Sequence, residues 1–263
     1  MLLNKDLRKK IAWMTWHSKE GHIPSAYSIL DVVSYLYDGY LKFDLNNLNS
    51  DERDYFILSK GHGCSALYAV LNKIGIITDD DLNDKNNEFA RLATHPDKTK
   101  IPGVEASTGS LGNGIGFALG IALGLKIKKK NNKVITIIGD AESNEGTVWE
   151  CALLGRHQML GNLCVVLDNN RSCDPTLPLI NPREKWESFG WNAIEIDGHS
   201  WPELDSAFKS IDFDFNKKPT IIIANTVKGK GVPKMESNYG GWHSKVPNDI
   251  EINEIYEALE QYE

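Results

Sequence analysis

The stretch Gly139–Asn170 has the sequence GDAESNEGTVWECALLGRHQMLGNLCVVLDNN, and it decides the fold of this chain. An apolar run, Val134–Ile138, precedes it, and a second apolar run, Leu163–Leu167, lies close to its end. Apolar residues between the two runs recur near helical spacing, which predicts a strand, a crossover helix and a parallel strand. Similar alternation along the chain predicts an α/β fold, with a doubly wound, mainly parallel sheet that has helices on both faces.

The same patterns give approximate bounds for the remaining elements. Strands are predicted near residues 55–58, 134–138, 163–168, 192–197 and 220–225. Helices are predicted near residues 5–20, 28–39, 64–74, 79–92, 111–130, 145–160, 201–210 and 250–261. The length and the absence of an internal repeat predict that residues 1–263 form a single domain.

Two polar residues follow the two apolar runs at what should be the same edge of the sheet. Asp140 comes shortly after the first run, and Asn170 shortly after the second. Doubly wound folds bind ligands at the carboxyl ends of their strands, so both side chains should approach one point. Their oxygens suit Mg²⁺ or Ca²⁺ that takes its other ligands from a diphosphate. The alternative is an ordinary strand–helix–strand unit with an incidental Asp and Asn.

The stretch resembles the thiamine-diphosphate motif in its Gly-Asp pair, its helix length, its Glu145-Gly146 and its closing Asn-Asn. The motif usually has glycine at the third position, where this chain has Ala141. Alanine still offers a backbone N–H to a phosphate, but it cannot adopt the positive φ of glycine cheaply. The resemblance implies a Mg²⁺ (or Ca²⁺) site formed by Asp140, Asn170 and the Ser172 carbonyl.

Four further segments resemble the transketolase branch of the thiamine-diphosphate family. They are similar to its helix start, its histidine loop, its HP…GVE…TGSLGQG segment and its closing loop, at Lys19–Asp31, Leu58–Leu71, Thr94–Gly120 and Asn225–Asp249. The likeness is collinear from about residue 5 to about residue 250. We therefore interpret the chain as a member of the transketolase family.

The resemblance also implies which residues form the site. The matching histidines are implied to contact the sugar or the cofactor, and they are His22, His62, His95 and His243. An imidazole suits that work because it donates from one nitrogen and accepts at the other. The implied cofactor-binding residues are His62, Gly109, Ser110, Leu111, Gly139, Asp140, Ala141, Glu145, Asn170 and His243. Glu145 could instead be an acid that favours a helix N-terminus. The other histidines, His17, His157 and His199, are expected to be structural.

The resemblance covers the diphosphate-binding domain of a transketolase and lacks the pyrimidine-binding and C-terminal domains. The missing pyrimidine domain holds the glutamate with which this family activates the cofactor. We therefore expect an N-terminal subunit of a split transketolase that assembles as α₂β₂ and is active only with a separate C-terminal subunit. Four glycines at a spacing of four are predicted to line one helix stripe, at Gly112, Gly116, Gly120 and Gly124. The stripe either meets another chain or packs tightly inside the domain.

The implied reaction is transfer of a two-carbon ketol unit from a ketose or ketose phosphate to an aldose acceptor. One alternative is the α subunit of a thiamine-dependent 2-oxo acid decarboxylase or dehydrogenase. Another is a degenerate, non-catalytic assembly subunit, which the replacement of glycine by Ala141 would favour. The sequence does not name the sugar, and either the pentose phosphate pathway or a specialised sugar pathway fits.

Composition excludes several other classes of protein. A net charge of −7 and a pI near 5.6 argue against nucleic acid as a partner. The start of the chain has no signal-peptide pattern, and the apolar runs are too short to span a bilayer. The four cysteines form no CxxC pair and are expected to be reduced thiols. These features predict a cytoplasmic protein that does not bind membranes.

Overall fold

The computed structural model describes residues 3–85, 87 and 90–262. Within these residues one sheet is formed by five strands: β1 (Tyr55–Leu58), β2 (Val134–Gly139), β3 (Leu163–Asn169), β4 (Asn192–Asp197) and β5 (Thr220–Asn225). The strand order is β1-β2-β3-β5-β4, and every neighbouring pair is parallel. The predicted α/β fold with a parallel sheet is therefore confirmed.

Helices cover both faces of this sheet. They are α1 (Lys5–Ser18), α2 (Ile23–Tyr35), α3 (Cys64–Lys73), α4 (Asp79–Asn83), α5 (Gly114–Ile127), α6 (Gly146–His157), α7 (Pro182–Ser188), α8 (Trp201–Ser210), α9 (Pro233–Glu236) and α10 (Asp249–Gln261). Successive residues of the strands point into two separate apolar cores, as the period of a strand requires. One core contains α1, α2, α3, α8 and α10, and the other contains α5, α6 and α7.

Some predicted helix bounds are wrong. The helix predicted over 79–92 ends at Asn83, and the helix predicted from residue 28 already begins at Ile23, with Pro24 in its first turn. Proline is tolerated there because the first N–H groups of a helix have no partner within the helix. Residues 86, 88 and 89 of the predicted 79–92 helix lie outside the described residues. The sequence patterns also missed the short helices α7 and α9.

The predicted glycine stripe is wrong at its first member. Helix α5 begins at Gly114, so Gly112 lies in the preceding turn, where its φ is +79°. A Cβ on Gly112 would lie 2.3 Å from Thr147 Oγ1, so this glycine serves close packing within the domain. Gly116 faces Cys151, while a Cβ on Gly120 or Gly124 would meet nothing within 4 Å.

The register of the sheet brings the ends of four strands to one edge. Gly139 of β2 is level with Asp168 of β3, and Asn225 of β5 is level with both Asn169 and Asp197. The loops that follow these strands therefore meet at the carboxyl edge, where α/β folds bind ligands.

No membrane-crossing helix is found in the described part of the chain, because none of its helices is both long and apolar enough.

Candidate active site

The Asp168 carboxylate forms the centre of the polar groups at the carboxyl edge. It pairs with the ammonium group of Lys60, and both side chains are only 1% exposed. It also accepts hydrogen bonds from Ser28 Oγ at 2.8 Å, from Asn170 Nδ2 at 2.8 Å and from the Thr226 hydroxyl. A buried ion pair needs such additional bonds to offset the cost of removing both charges from water. This network joins α2 to the loops that follow β1, β3 and β5.

The predicted metal ligands lie beside this network and meet at Ser172. The Ser172 hydroxyl donates to Asp140 Oδ1 at 3.0 Å, and the Ser172 N–H donates to Asn170 Oδ1 at 3.0 Å. Asp140 is buried and accepts further bonds from the Ala141 and Cys173 N–H groups, at 2.7 and 3.3 Å. The structure thus brings Asp140 and Asn170 to one point, as the strand-end argument expected, and Ser172 contacts both through its hydroxyl and its N–H.

The donor set around Asp140 fits a hard divalent cation. All the hydrogen-bond partners of its carboxylate are neutral, so within the described residues its charge is not balanced by an ion pair. The described residues contain no group of three or more His, Cys, Asp or Glu side chains placed to hold a metal. A cation here would take one carboxylate, then amide and carbonyl oxygens, then oxygens of a ligand. That set suits Mg²⁺ or Ca²⁺ and does not suit zinc.

Three of the four predicted histidines form a cluster. The ring centroid of His22 lies 5.7 Å from that of His62 and 5.3 Å from that of His243, and the centroid of His62 lies 6.1 Å from that of His243. Burial is the main cause that lowers the pKa of all three, to about 2 for His62 and about 4 for His243. The cluster is therefore neutral at physiological pH and presents both donor and acceptor nitrogens.

The backbone around His22 holds this cluster in place. His22 has a φ of +77°, an uncommon conformation for a residue with a side chain. A Cβ on the preceding Gly21 would lie 2.2 Å from the Ser244 carbonyl oxygen, so only glycine allows the two loops to touch. His22 is thereby held against His243, the neighbour of Ser244.

Lys228 completes the cluster and was not predicted from the sequence. Its buried ammonium group lies 3.0 Å from His243 Nδ1. Burial and the nearby Lys60 lower the pKa of Lys228 to about 8. The signal was available, because Lys228 follows β5 at the same sheet edge as Asp140. Lys60 is paired with Asp168, whereas the hydrogen-bond partner of Lys228 is a neutral histidine, so the Lys228 ammonium group favours binding of an anion.

His95 lies beside the predicted Gly109–Leu111 turn, and it contributes to the lowered pKa of His22. A Cβ on Gly109 would lie 3.0 Å from the His95 ring, so the turn packs directly on this imidazole. The Thr108 hydroxyl bonds to the Leu58 carbonyl at 2.6 Å, which fixes the turn to the end of β1. His95, Gly109 and Ser110 line an open cleft of about 470 Å³.

The buried acid of the Gly139–Gly146 loop is Glu142, which the sequence analysis did not single out. Glu142 accepts hydrogen bonds from the Ser59 hydroxyl and from the N–H groups of Gly112 and Gly139, the latter two at 2.9 and 3.0 Å. Burial raises the pKa of this carboxyl group despite these bonds. Glu145, the predicted site residue, is exposed at the first position before α6. Glu142 thus ties three loops together, while Glu145 faces outward.

The backbone at Ala141 does not have the positive φ that would strain an alanine. Ala141 has φ −62° and ψ −37°, in the right-handed helical region that every L-residue adopts. A methyl side chain therefore causes no backbone strain at this position.

A sheet of this topology, with polar groups gathered at the carboxyl ends of its strands, defines an α/β ligand-binding domain. Residues 14–260 match the family model described as transketolase, thiamine diphosphate binding domain. The chain belongs to this family.

Two similar proteins share nearly the full length of the chain. The chain is 33% identical to an apulose-4-phosphate transketolase subunit of Phocaeicola vulgatus, over 97% of this chain and 93% of that protein. It is 37% identical to the 6-deoxy-6-sulfo-D-fructose transketolase subunit SqwG of a Clostridium species, over 88% and 85% of the two chains. A solved transketolase from Campylobacter jejuni superposes with a TM-score of 0.89 at 25% identity. The alignment covers 97% of this chain but only 41% of that transketolase.

We predict that Ala141→Gly does not tighten binding of thiamine diphosphate. There is no positive φ to relieve, and the greater freedom of glycine in the unbound loop costs about 0.5–1 kcal/mol. The dissociation constant should stay equal or rise by up to roughly fivefold, as that free energy implies. Calorimetric titration of both proteins in Mg²⁺ checks this, and tenfold tighter binding by the variant would contradict it.

Proposed function

We propose that this chain is one subunit of a thiamine-diphosphate- and Mg²⁺-dependent transketolase. It moves a two-carbon ketol unit from a ketose or ketose phosphate to an aldose, together with a second subunit that supplies the pyrimidine-binding domain. One geometric observation supports this function best. Asp140, a buried carboxylate with neutral partners only, lies at the same strand ends as three neutral histidines and Lys228. A diphosphate with a bound metal complements this arrangement, because the metal pairs with the carboxylate and the phosphate oxygens pair with the histidines and Lys228.

Each group of residues has a proposed role. Asp140, Asn170 and the Ser172 carbonyl bind the metal, and Gly139, Ala141, His62, His243 and Lys228 contact the diphosphate. When bound, thiamine diphosphate supplies an electron sink for cleavage of the carbon–carbon bond next to the sugar carbonyl. His22 and His95 orient the sugar by hydrogen bonds to its hydroxyl groups. Gly109, Ser110 and Leu111 hold the aminopyrimidine ring.

The neutral state of the histidines suits this work. An imidazole that carried a charge would donate from both nitrogens and could not accept a proton from a sugar hydroxyl. Burial keeps the pKa of His22 below its usual value, so this ring retains one acceptor nitrogen at neutral pH. Lys228 supplies positive charge to the diphosphate, because Lys60 is already paired with Asp168.

The two alternative functions have less support. The chain matches the transketolase family over residues 14–260, which favours a transketolase over a 2-oxo acid dehydrogenase subunit. The degenerate-subunit alternative depended mainly on Ala141, whose backbone is unstrained. Glu145 remains a candidate for a carboxylate network with the partner, since its exposed side chain is accessible to another chain. The four free cysteines suit a reducing, cytoplasmic setting.

The surface formed by α5 and α6 is the proposed partner contact. Phe117 and Ile127 of α5 are 52% and 73% exposed, and Gly120 and Gly124 lie on the same side of the helix. Leu153 of the adjacent α6 is 64% exposed. Large exposed apolar patches of this kind mark interaction surfaces. Two relatives are named as transketolase subunits, which supports the existence of a second subunit. We infer that this subunit covers the surface, in an α₂β₂ assembly.

Asp140→Ala should abolish Mg²⁺-dependent binding of thiamine diphosphate, because the other proposed ligands supply no carboxylate. Calorimetry of the reconstituted complex should then show no cofactor heat. Asp174→Ala, which removes an exposed acid of the loop that carries Asn170 and Ser172, is the matched control and should bind normally. Wild-type affinity in Asp140→Ala would disprove the metal assignment.

Cofactor binding at pH 8 should take up as much as about half a proton at Lys228. A group with a pKa of about 8 is half protonated there, and a bound diphosphate favours its charged form. The affinity should therefore fall as the pH rises above 8. Titration calorimetry in two buffers of different ionisation enthalpy measures the uptake.

Lys228→Met should remove that proton uptake, while Lys230→Met, in the same segment, should retain it. Equal uptake in the two variants would show that Lys228 does not face the diphosphate.

Gly120→Leu should prevent assembly with the partner subunit. Leucine blocks close approach to α5, yet it favours an exposed helix position over glycine by about 0.5–1 kcal/mol. The isolated variant should thus keep wild-type circular dichroism and thermal stability. Lys209→Leu on α8, which lies on the opposite face of the sheet, serves as the control for Gly120→Leu and should assemble normally.

Wild-type chain mixed with the partner, thiamine diphosphate and Mg²⁺ should transfer ketol units from xylulose 5-phosphate to ribose 5-phosphate. Robust turnover by the wild-type chain without the partner would contradict the proposed division of the active site.

A further inference from the structure

His199 connects three parts of the fold without entering the candidate site. It follows β4 in the turn Asp197-Gly198-His199, and its side chain is only 8% exposed. Its Nδ1 lies 2.7 Å from the Asp31 carboxylate, and the Val227 N–H donates to its Nε2 at 2.9 Å. One imidazole therefore joins helix α2 to the segment that follows β5.

The partners of His199 fix its protonation. The Asp31 carboxylate can only accept, so Nδ1 carries the hydrogen, and the Val227 amide can only donate, so Nε2 is bare. Asp31 itself is held by the buried Arg8 guanidinium and by Asn4 Nδ2 at 2.8 Å. The acceptor for Val227 is thus a rigidly placed, neutral ring.

Val227 lies between two residues whose side chains point to the carboxyl edge. Thr226 donates to Asp168, and Lys228 places its ammonium group 3.0 Å from His243 Nδ1. The next residue, Gly229, donates its N–H to the Pro24 carbonyl at 3.1 Å. The Val227–His199 bond is the contact that ties the middle of this segment to α2 through Asp31.

The approach of the two loops is close enough to require glycine. A Cβ on Gly198 would lie 2.5 Å from Thr226 Cγ2 and 3.0 Å from Ala224 Cβ. The Gly198 N–H donates to the Asn225 carbonyl at 2.9 Å. The turn that carries His199 is therefore packed directly against the end of β5.

We propose that His199 is a positioning residue: its Nε2 holds the Val227 amide, and so keeps Lys228 directed at His243 in the cofactor-diphosphate site. This inference rests on the proposed function, because Lys228 matters only if the site binds an anionic cofactor. The Asp31 bond orients the ring, and the Val227 bond transmits that orientation to Lys228.

Two amide substitutions separate the two bonds of the ring. The side-chain amide of asparagine overlays Nδ1 of histidine, whereas that of glutamine overlays Nε2. His199→Asn should therefore keep the Asp31 bond and lose the Val227 bond, and His199→Gln should keep an acceptor for Val227. If His199 only stabilised the fold by binding the buried Asp31, the asparagine variant should instead be closer to wild type than the glutamine variant.

The first readout is amide hydrogen exchange of residues 226–229 in the full chain without ligand. Exchange at Val227 should be at least tenfold faster in His199→Asn than in wild type, with His199→Gln close to wild type. The second readout is thiamine diphosphate affinity in Mg²⁺ with the partner subunit. It should fall about tenfold in His199→Asn and less than threefold in His199→Gln, with equal melting temperatures.

Equal exchange at Val227 in the two variants would overturn the inference, because the proposed bond would then not hold the segment. Faster exchange in His199→Asn with unchanged cofactor affinity would also overturn it, since the bond would not position Lys228. A wild-type complex that binds no thiamine diphosphate would instead disprove the proposed function, and the inference with it, whatever the exchange rates.

Discussion

The buried ion pair between Lys60 and Asp168 is the interaction on which the arrangement of the site depends. Both charges are removed from water at the centre of the carboxyl edge, so every remaining lone pair needs a partner. Ser28, Asn170 and Thr226 supply those partners. Satisfying one carboxylate therefore fixes α2 and the loops after three strands relative to one another. Removing either charge would leave the other buried and unpaired, a loss of about 3–5 kcal/mol.

This constraint explains the electrostatic character of the site. Lys60 is neutralised by Asp168, but Lys228 faces a histidine, and its pKa falls because it is buried near another cation. Asp140 has neutral hydrogen-bond partners only, and its carboxylate is near enough to Lys228 to oppose the lowering of the Lys228 pKa. A cation and a carboxylate that are each hydrogen-bonded only to neutral groups at one sheet edge are complementary to a diphosphate that carries a divalent metal. This arrangement of charges supports the proposed function.

Much of the fold could be predicted from the sequence, and particular residues show why the rest could not. Asp140 and Asn170 were predictable because parallel strands must end at one edge. The roles of Lys60, Glu142 and Lys228 were not predicted, because the sequence does not show whether a charged side chain is buried. Only tertiary contacts reveal that difference. The helix predicted over 79–92 ends already at Asn83, in a stretch rich in Asp and Asn, which have low helix propensity. The φ of Ala141 could not be predicted either, because it depends on the conformation of the loop and not on the sequence motif.

We propose that this chain holds the diphosphate of the cofactor, while a partner supplies the group that activates it. Exchange of the thiamine diphosphate C2 proton with deuterium, followed by quenched-flow NMR, tests this most directly. With Mg²⁺ and the chain alone, the exchange rate should equal that of the free cofactor. Adding the partner subunit should raise it by roughly a hundredfold or more, the usual contribution of a positioned acid or base. Full acceleration by the chain alone would contradict the account.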